Sequence, residues 1–375
     1  MQEIIKKYVK VLDNKKPQTT KKIGFVTNYV RNWLMVMANA GTIESVNFID
    51  CMCNAGVYKD GDLGTATEVF KLFVESATLY PDKTFNLYLN DYKSKRIEII
   101  KEVINKIAEQ YPSNLKVHYN VSDANDYLNQ LDTNSEIFGY GKATLLFVDP
   151  YDFGTIHIPT LKRLCSRHYF ELLFNLFTSD WVRNKNNELD SRIDKVIDNP
   201  EAVFYTKDEL VWYIVDELKV GYMKHSFNYA FHIETNAELY QIVYLTPNIR
   251  GLEKLKETLW ETFNGTSYYR NPAKEQVGQM SLFTPEIEEQ LAESTEAYII
   301  QSNVDLVKDL LHWVPNKKHV SYIEIEQIIL EGTMLKKTHL INHIFKPFIN
   351  EGILIKLNEG VIRSNYTADF YDIKG

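Results

Sequence analysis

Apolar positions along the chain follow two rhythms. After a polar stretch from Asp13 to Thr20, Val26, Tyr29, Val30, Trp33, Leu34 and Met37 recur three and four apart, so residues 1–45 read as helical up to Gly41. Short apolar runs then predict strands over 45–50, 85–91, 115–120, 144–149 and 170–176. Between them lie helical patterns over 65–79, at Ile97, Ile100, Ile104 and Ile107, and over 123–131. Strands alternating with helices imply a mostly parallel sheet covered on both faces. Two further strands, 225–235 and 238–246, are separated by a short polar turn that suits an antiparallel pair. The expected fold is α/β and Rossmann-like, with a mostly parallel seven-stranded sheet and an antiparallel strand near its end.

Residues 184–208 turn polar and charged, as a helical excursion on the surface would. Gly265, Pro272, Gly278 and Pro285, amid many Glu and Gln, mark a linker. Beyond it come three helical patterns, Val304 to Leu311, Ile323 to Ile329 and Leu335 to Phe348, with Pro347 expected to end or kink the third. Strands over 353–357 and 360–363 around Asn358-Glu359 complete the order of a winged helix-turn-helix. The chain is therefore expected to comprise an α/β domain over 1–265, a linker over 266–300 and a winged helix over 301–375.

Composition narrows the class. An apolar share of 45% with 25% charged residues suits a folded domain, and no apolar run is long enough for a membrane helix. The first residues lack the apolar block of a secretory signal, so a cytoplasmic location is expected. Cys51 and Cys53 stand close together with no second pair, so buried thiols are expected, with neither a disulfide framework nor a metal site. A net charge of −8 argues against indiscriminate nucleic-acid binding but leaves room for a local basic patch.

Five strand ends carry candidate chemistry. Asp50 to Tyr58 form a turn between strand and helix where the backbone can approach a ligand closely; Gly56 is its one glycine, and Asn54 tolerates positive φ. Asp91, after the second strand, is placed to accept ribose hydroxyls, or else to cap the next helix. Ser122 and Asp123, after the third, face the same choice between adenine contact and N-cap. Asp149, Pro150 and Tyr151, after the fourth, lie where strand order reverses; a carboxylate, a proline and an aromatic there suit transfer to an exocyclic amine, with the ring stacked on a planar base. Asn175 and Trp181, after the fifth, are candidates to line the same crevice.

Taken together, Asp50, Gly56, Tyr58, Asp60, Gly61, Gly64, Asp149-Pro150-Tyr151 and Glu171-Leu172-Leu173-Phe174-Asn175 resemble the three-Cys-motif partner protein family, as do 239–246 with Arg250-Gly251-Leu252-Glu253. The resemblance covers roughly residues 22–262 and implies a class I S-adenosylmethionine methyltransferase-like fold of bacterial or phage origin. It also implies a companion protein with a three-cysteine motif that looks like a radical S-adenosylmethionine enzyme. Two positions depart from the pattern: Cys53-Asn54-Ala55-Gly56 replaces a glycine-rich loop, and Gly64-Thr65-Ala66 replaces Gly-Ser-Pro. More faintly, Asp149-Pro150-Tyr151 through Gly154 resembles enzymes that methylate base amines in RNA and DNA.

The expected cofactor is therefore S-adenosylmethionine, held by Asp50, Asn54, Gly56, Asp91, Ser122 and Asp123, with Asp149, Pro150 and Tyr151 as catalytic residues and nucleic acid as substrate. In the winged helix, nine Lys and Arg balance nine Asp and Glu. Lys317, Lys318, Lys336, Lys337 and His339 stand before or at the start of helices and are the candidate nucleic-acid contacts. Two other uses remain open. One is a non-catalytic adaptor that positions substrate for the three-cysteine-motif protein; the other is cleavage of nucleic acid by Asp50, Asp149 and Asp152.

Overall fold

A computed structural model of the chain describes residues 1–134, 136–176, 193, 196–199, 201–233, 237–265, 268–269, 285–357 and 369–374. The chain divides into two compact units, one of residues 1–248 with 268–270, the other of 249–267 with 271–375.

The first unit opens with helices α1 (Gln2–Tyr8) and α2 (Pro17–Asn39). Strands and helices then alternate as β1 (Ser45–Asp50), α3 (Thr65–Leu79), β2 (Thr84–Asn90), α4 (Ser94–Ile107), β3 (Leu115–Asn120), α5 (Ala124–Asp132), β4 (Lys142–Val148), α6 (Ile158–Cys165) and β5 (Phe170–Leu176). Helix Lys207–Leu218 leads to β6 (His225–Ile233) and β7 (Ala237–Thr246). The strands form one sheet in the order β3-β2-β1-β4-β5-β7-β6, extended by the two-residue edge strand β8 (Tyr268–Tyr269). The first five run parallel, and β7 is antiparallel to both β5 and β6. This is the expected Rossmann-like, mostly parallel sheet with an antiparallel strand near its end, and strand order reverses between β1 and β4.

Alternation along the strands supplies both faces of the core. Phe48, Phe85 and Phe147 point to one side, where Phe48 and Phe85 pack edge-on against Phe73 of α3. Ile49, Leu146, Val148 and Leu172 point to the other, into a cluster with α5, α6 and helix Lys207–Leu218. Each such side chain, buried from water, stabilises the fold by about 1.5–3 kcal/mol. In the parallel register Asp50 lies beside Phe147 and Val148 beside Phe174, so the ends of β1, β4 and β5 open at one sheet edge.

In the second unit, helix Ile249–Phe263 precedes helix Pro285–His312, which begins inside the segment expected to be a linker. Its proline and acidic first residues are good helix starters, and they hide the helix from a search for apolar periodicity. β9 (Val320–Ser321) leads into helix Tyr322–Gly332, whose start is closed by a capping box between Ser321 and Glu324. A further helical stretch over 337–350 runs through a π-helical turn at Ile341–Phe345. Pro347 therefore does not end this helix: it falls in the first turn after the π segment, where its missing N–H is tolerated. β10 (Leu354–Leu357) pairs antiparallel with β11 (Phe370–Ile373), not with the expected 360–363, which lies outside the described residues. β11 also pairs with β9, and Val307, Ile325, Ile329, Leu340, Phe345 and Tyr371 share one core.

Candidate functional site

The turn after β1 is built for close backbone approach. Asn54 takes φ +56° and Gly56 φ +71°, the left-handed conformations expected of them. A Cβ at Gly56 would sit 2.5 Å from Thr67 Oγ1 and 2.8 Å from Ile100, so no larger residue fits. Thr67 Oγ1 and the Gly64 N–H both donate to the Gly56 carbonyl, at 2.7 and 2.9 Å, folding the loop back onto the start of α3. The sequence substitutes Asn54 for one glycine, and its side chain accepts from the Ala55 N–H and donates to Asp13 at 3.0 Å.

These residues wall a crevice of about 560 Å³ at the switch point, shared by Asp50, Cys53, Asn54 and Gly56 on one side and Asp149, Pro150, Tyr151 and Asn175 on another, with Asp13, Lys16 and Lys22 from the N-terminal segment. Its size is that of a small-molecule site. Asp149 receives both oxygens' bonds from Lys22 Nζ at 2.6 and 2.8 Å and a further bond from Asn175 Nδ2 at 2.5 Å. Asn175 Oδ1 is buried and has no hydrogen-bond partner among the described residues. Asp50 is buried and accepts the Met52 N–H at 3.1 Å. Burial, opposed by that bond and reinforced by the neighbouring Asp149 and Asp91, lifts its carboxyl to about 8.

Tyr151 leans over the opening and is half exposed; its hydroxyl accepts from Arg96 Nη1 at 2.7 Å. Arg96 also bonds Asp13 at 3.0 Å and Asp91 at 3.4 Å, so one guanidinium joins the N-terminal segment, the end of β2 and the end of β4. Burial raises the Tyr151 hydroxyl well above the usual phenol range, against the pull of Arg96.

The other expected cofactor residues are placed differently. Asp91 is buried beneath Arg96 and accepts the Lys93 N–H at 2.9 Å; it does not line the crevice. Ser122 bonds to Asn90, and Asp123 caps α5 through the Asn125 N–H. Both stand outside the crevice, because the polar ends of β2 and β3 are spent on each other: Asn90 holds the Cys51 and Ser122 carbonyls and accepts from Asn120. Trp181 lies outside the described residues. The three cysteines are buried and free, as expected.

Asp13, Lys22 and Arg96 are functional candidates that the sequence did not single out. The only signal was the polar stretch before α2, and its partners lie 41, 127 and 83 residues away in sequence. Among the described residues no group of three His, Cys, Asp or Glu is arranged to hold a metal ion, and no helix is long and apolar enough to cross a membrane.

In the second unit the five candidate contacts separate. Lys318 pairs with Asp372, and Lys337 with Glu253 and Glu326. Lys336 lies over the Trp260 ring, while Lys317 gives its carbonyl to the Ile373 N–H. His339 is a correction: it is buried edge-on against Trp260, and burial with the nearby Lys336 lowers it to about 4, so it serves the core and cannot reach a ligand.

No family model and no curated protein sequence matches the chain. Among solved structures it is similar to a Legionella pneumophila protein of the domain family DUF519, at 13% identity and TM-score 0.40, over 64% of this chain and 92% of that one. It is also similar to the methyltransferase domain of bacterial CtHen1, at 9% identity and TM-score 0.32, over 59% and 99%. A third is an S-adenosylmethionine-dependent methyltransferase of Methanosarcina mazei, at 10% and 0.29, over 56% and 96%. At this distance each is a likeness of fold alone.

Proposed function

We propose that the chain is an S-adenosylmethionine-dependent methyltransferase acting on an exocyclic amine of a nucleic-acid base. The observation that carries this reading is the carboxylate of Asp149 at the switch point, holding a nitrogen donor beside Pro150 and Tyr151. Lys22 Nζ occupies the place on Asp149 that a substrate amine would take, and Asn175 Oδ1 is an acceptor still to be satisfied there.

The residues fit the amino-acid end of the cofactor. Asp50 offers a carboxyl oxygen to its ammonium group, Lys16 suits its carboxylate, and the left-handed Asn54 and Gly56 expose backbone to it. When bound, S-adenosylmethionine supplies an electrophilic methyl group. The chain's own residues do the rest: Tyr151 stacks on the base, Asp149 and the neighbouring carbonyls align the amine, and Asp149 takes the proton that leaves it. Among the second unit's elements, three helices and the β10-β11-β9 sheet support a winged helix, with Lys317, Lys318 and Lys336 as nucleic-acid contacts.

Calorimetry with S-adenosylmethionine, followed by transfer of labelled methyl to RNA and DNA, tests this. Asp149→Ala is expected to retain cofactor binding within a few-fold and to lose at least 10²-fold in transfer, the order of a general-base contribution; absence of cofactor heat overturns the reading.

One observation favours a second reading. Asp91 is already engaged by Arg96, and Lys22 already fills Asp149, as in a chain that keeps the fold and positions substrate for a three-cysteine-motif partner. On that reading the chain transfers no methyl itself, and any chemistry on the substrate belongs to the partner.

A further inference from the structure

A second cavity of about 710 Å³ opens beside the crevice, lined by Lys10, Lys59, Lys93, Lys95 and Arg96, with Tyr92 in its wall and Asp13 its one acid. Such a cluster is out of proportion in a chain of net charge −8. Lys95 is spent on Glu98 and Arg96 on Asp13 and Asp91, but Lys10, Lys59 and Lys93 are exposed and pair with no carboxylate among the described residues. Tyr92 is 57% exposed, with Lys93 Nζ 5.1 Å from its ring centre. Asp13 and Arg96 line both cavities, so the basic cleft and the crevice share a wall, on whose crevice side Arg96 meets Tyr151.

Three unpaired ammonium groups in a groove attract a polyanion, and an exposed ring among them adds a stacking platform. A ring of this kind is useful only where bases are unstacked, which selects a single strand over a duplex. We propose that this cleft binds the phosphodiester backbone of a single-stranded nucleic acid, with Lys10, Lys59 and Lys93 on phosphates and Tyr92 stacked on the base next to the one entering the crevice. This deepens, and rests on, the reading of the crevice as a base-binding site.

The test is fluorescence anisotropy of the full chain with a labelled single-stranded oligonucleotide of about twelve nucleotides, within the span such grooves cover, titrated over a range of salt. The triple variant Lys10→Gln/Lys59→Gln/Lys93→Gln is expected to bind at least about tenfold more weakly and to flatten the log–log salt dependence by about two, at roughly 0.7 per phosphate contact on a single strand. Tyr92→Ala is expected to weaken binding by about tenfold while leaving the salt slope alone, which loss of charge does not do. Lys106→Gln/Lys116→Gln/Lys346→Gln, at exposed lysines that line neither cavity and are not among the winged-helix contacts, controls for loss of charge alone. An unchanged slope in the triple variant overturns the proposal, as does loss of binding in the control variant alone, or no binding of any single strand by the native chain. Cofactor calorimetry on the same proteins separates the two claims. Cofactor heat without oligonucleotide binding sinks the cleft and leaves the cofactor site; lysine-dependent oligonucleotide binding without cofactor heat does the reverse.

Discussion

Asp50 and Asp149 end neighbouring strands and meet the same crevice, yet their surroundings treat a negative charge in opposite ways. Asp149 has an ammonium and an amide on its oxygens, whereas Asp50 has one backbone N–H and a dry wall. With its carboxyl lifted to about 8, folded Asp50 keeps a proton that the unfolded chain releases near pH 4. Stability tied to that proton is therefore whole below about pH 4, falls as pH rises toward 8, and is level beyond it. Asp50→Asn removes the slope. Denaturant melts at intervals from pH 5 to 9 are expected to show the variant gaining on the native chain, by a few kcal/mol at most; parallel curves count against a buried, proton-holding Asp50. Asn54 was legible at this scale because the turn's need for positive φ names its own candidates. Lys22 was not, since a lysine in a polar stretch gives no sign of a carboxylate 127 residues on.

At the scale of elements, β1 to β5 were legible to within two residues because a buried parallel strand must be a short apolar run bounded by polar residues. Two elements were not. Helix Pro285–His312 starts in glutamates and glutamines without an apolar stripe, and the partner of β10 is displaced to Phe370–Ile373, a separation that no turn motif announces. His339 misled for a related reason: its neighbours Lys336 and Lys337 look like a contact row, but His339 is two residues on from Lys337 and so on a different face of the helix. Its burial makes a measurable difference. A folded imidazole lowered to about 4 gives stability that is whole above about pH 6.5 and lost as pH falls toward 4, because the unfolded chain binds the proton first. His339→Gln is expected to flatten acid destabilisation of the second unit by on the order of 2 kcal/mol, read by Trp260 fluorescence between pH 7 and 4; an acid profile identical to the native one contradicts the assignment.

For the whole molecule, two units with separate cores predict departure from a single cooperative transition. Differential scanning calorimetry is expected to resolve two steps, of which S-adenosylmethionine raises only the one belonging to residues 1–248, by the mass-action term for a ligand of the native state. A single transition shifted as a block excludes such independence. Within the first unit, the longest reach belongs to α2. Tyr29 shares Glu171 Oε2 with Tyr244 in a buried triad, 142 and 215 residues ahead of it in sequence, and Lys22 of the same helix closes on Asp149. Time during synthesis is the consequence. At about 5–20 residues per second, a ribosome that has made Tyr29 needs on the order of ten to forty seconds more before β7 emerges. Until then the buried triad that ties this helix to the sheet is incomplete. Asp149 therefore acquires its lysine guard late, after most of the sheet that frames it has been made.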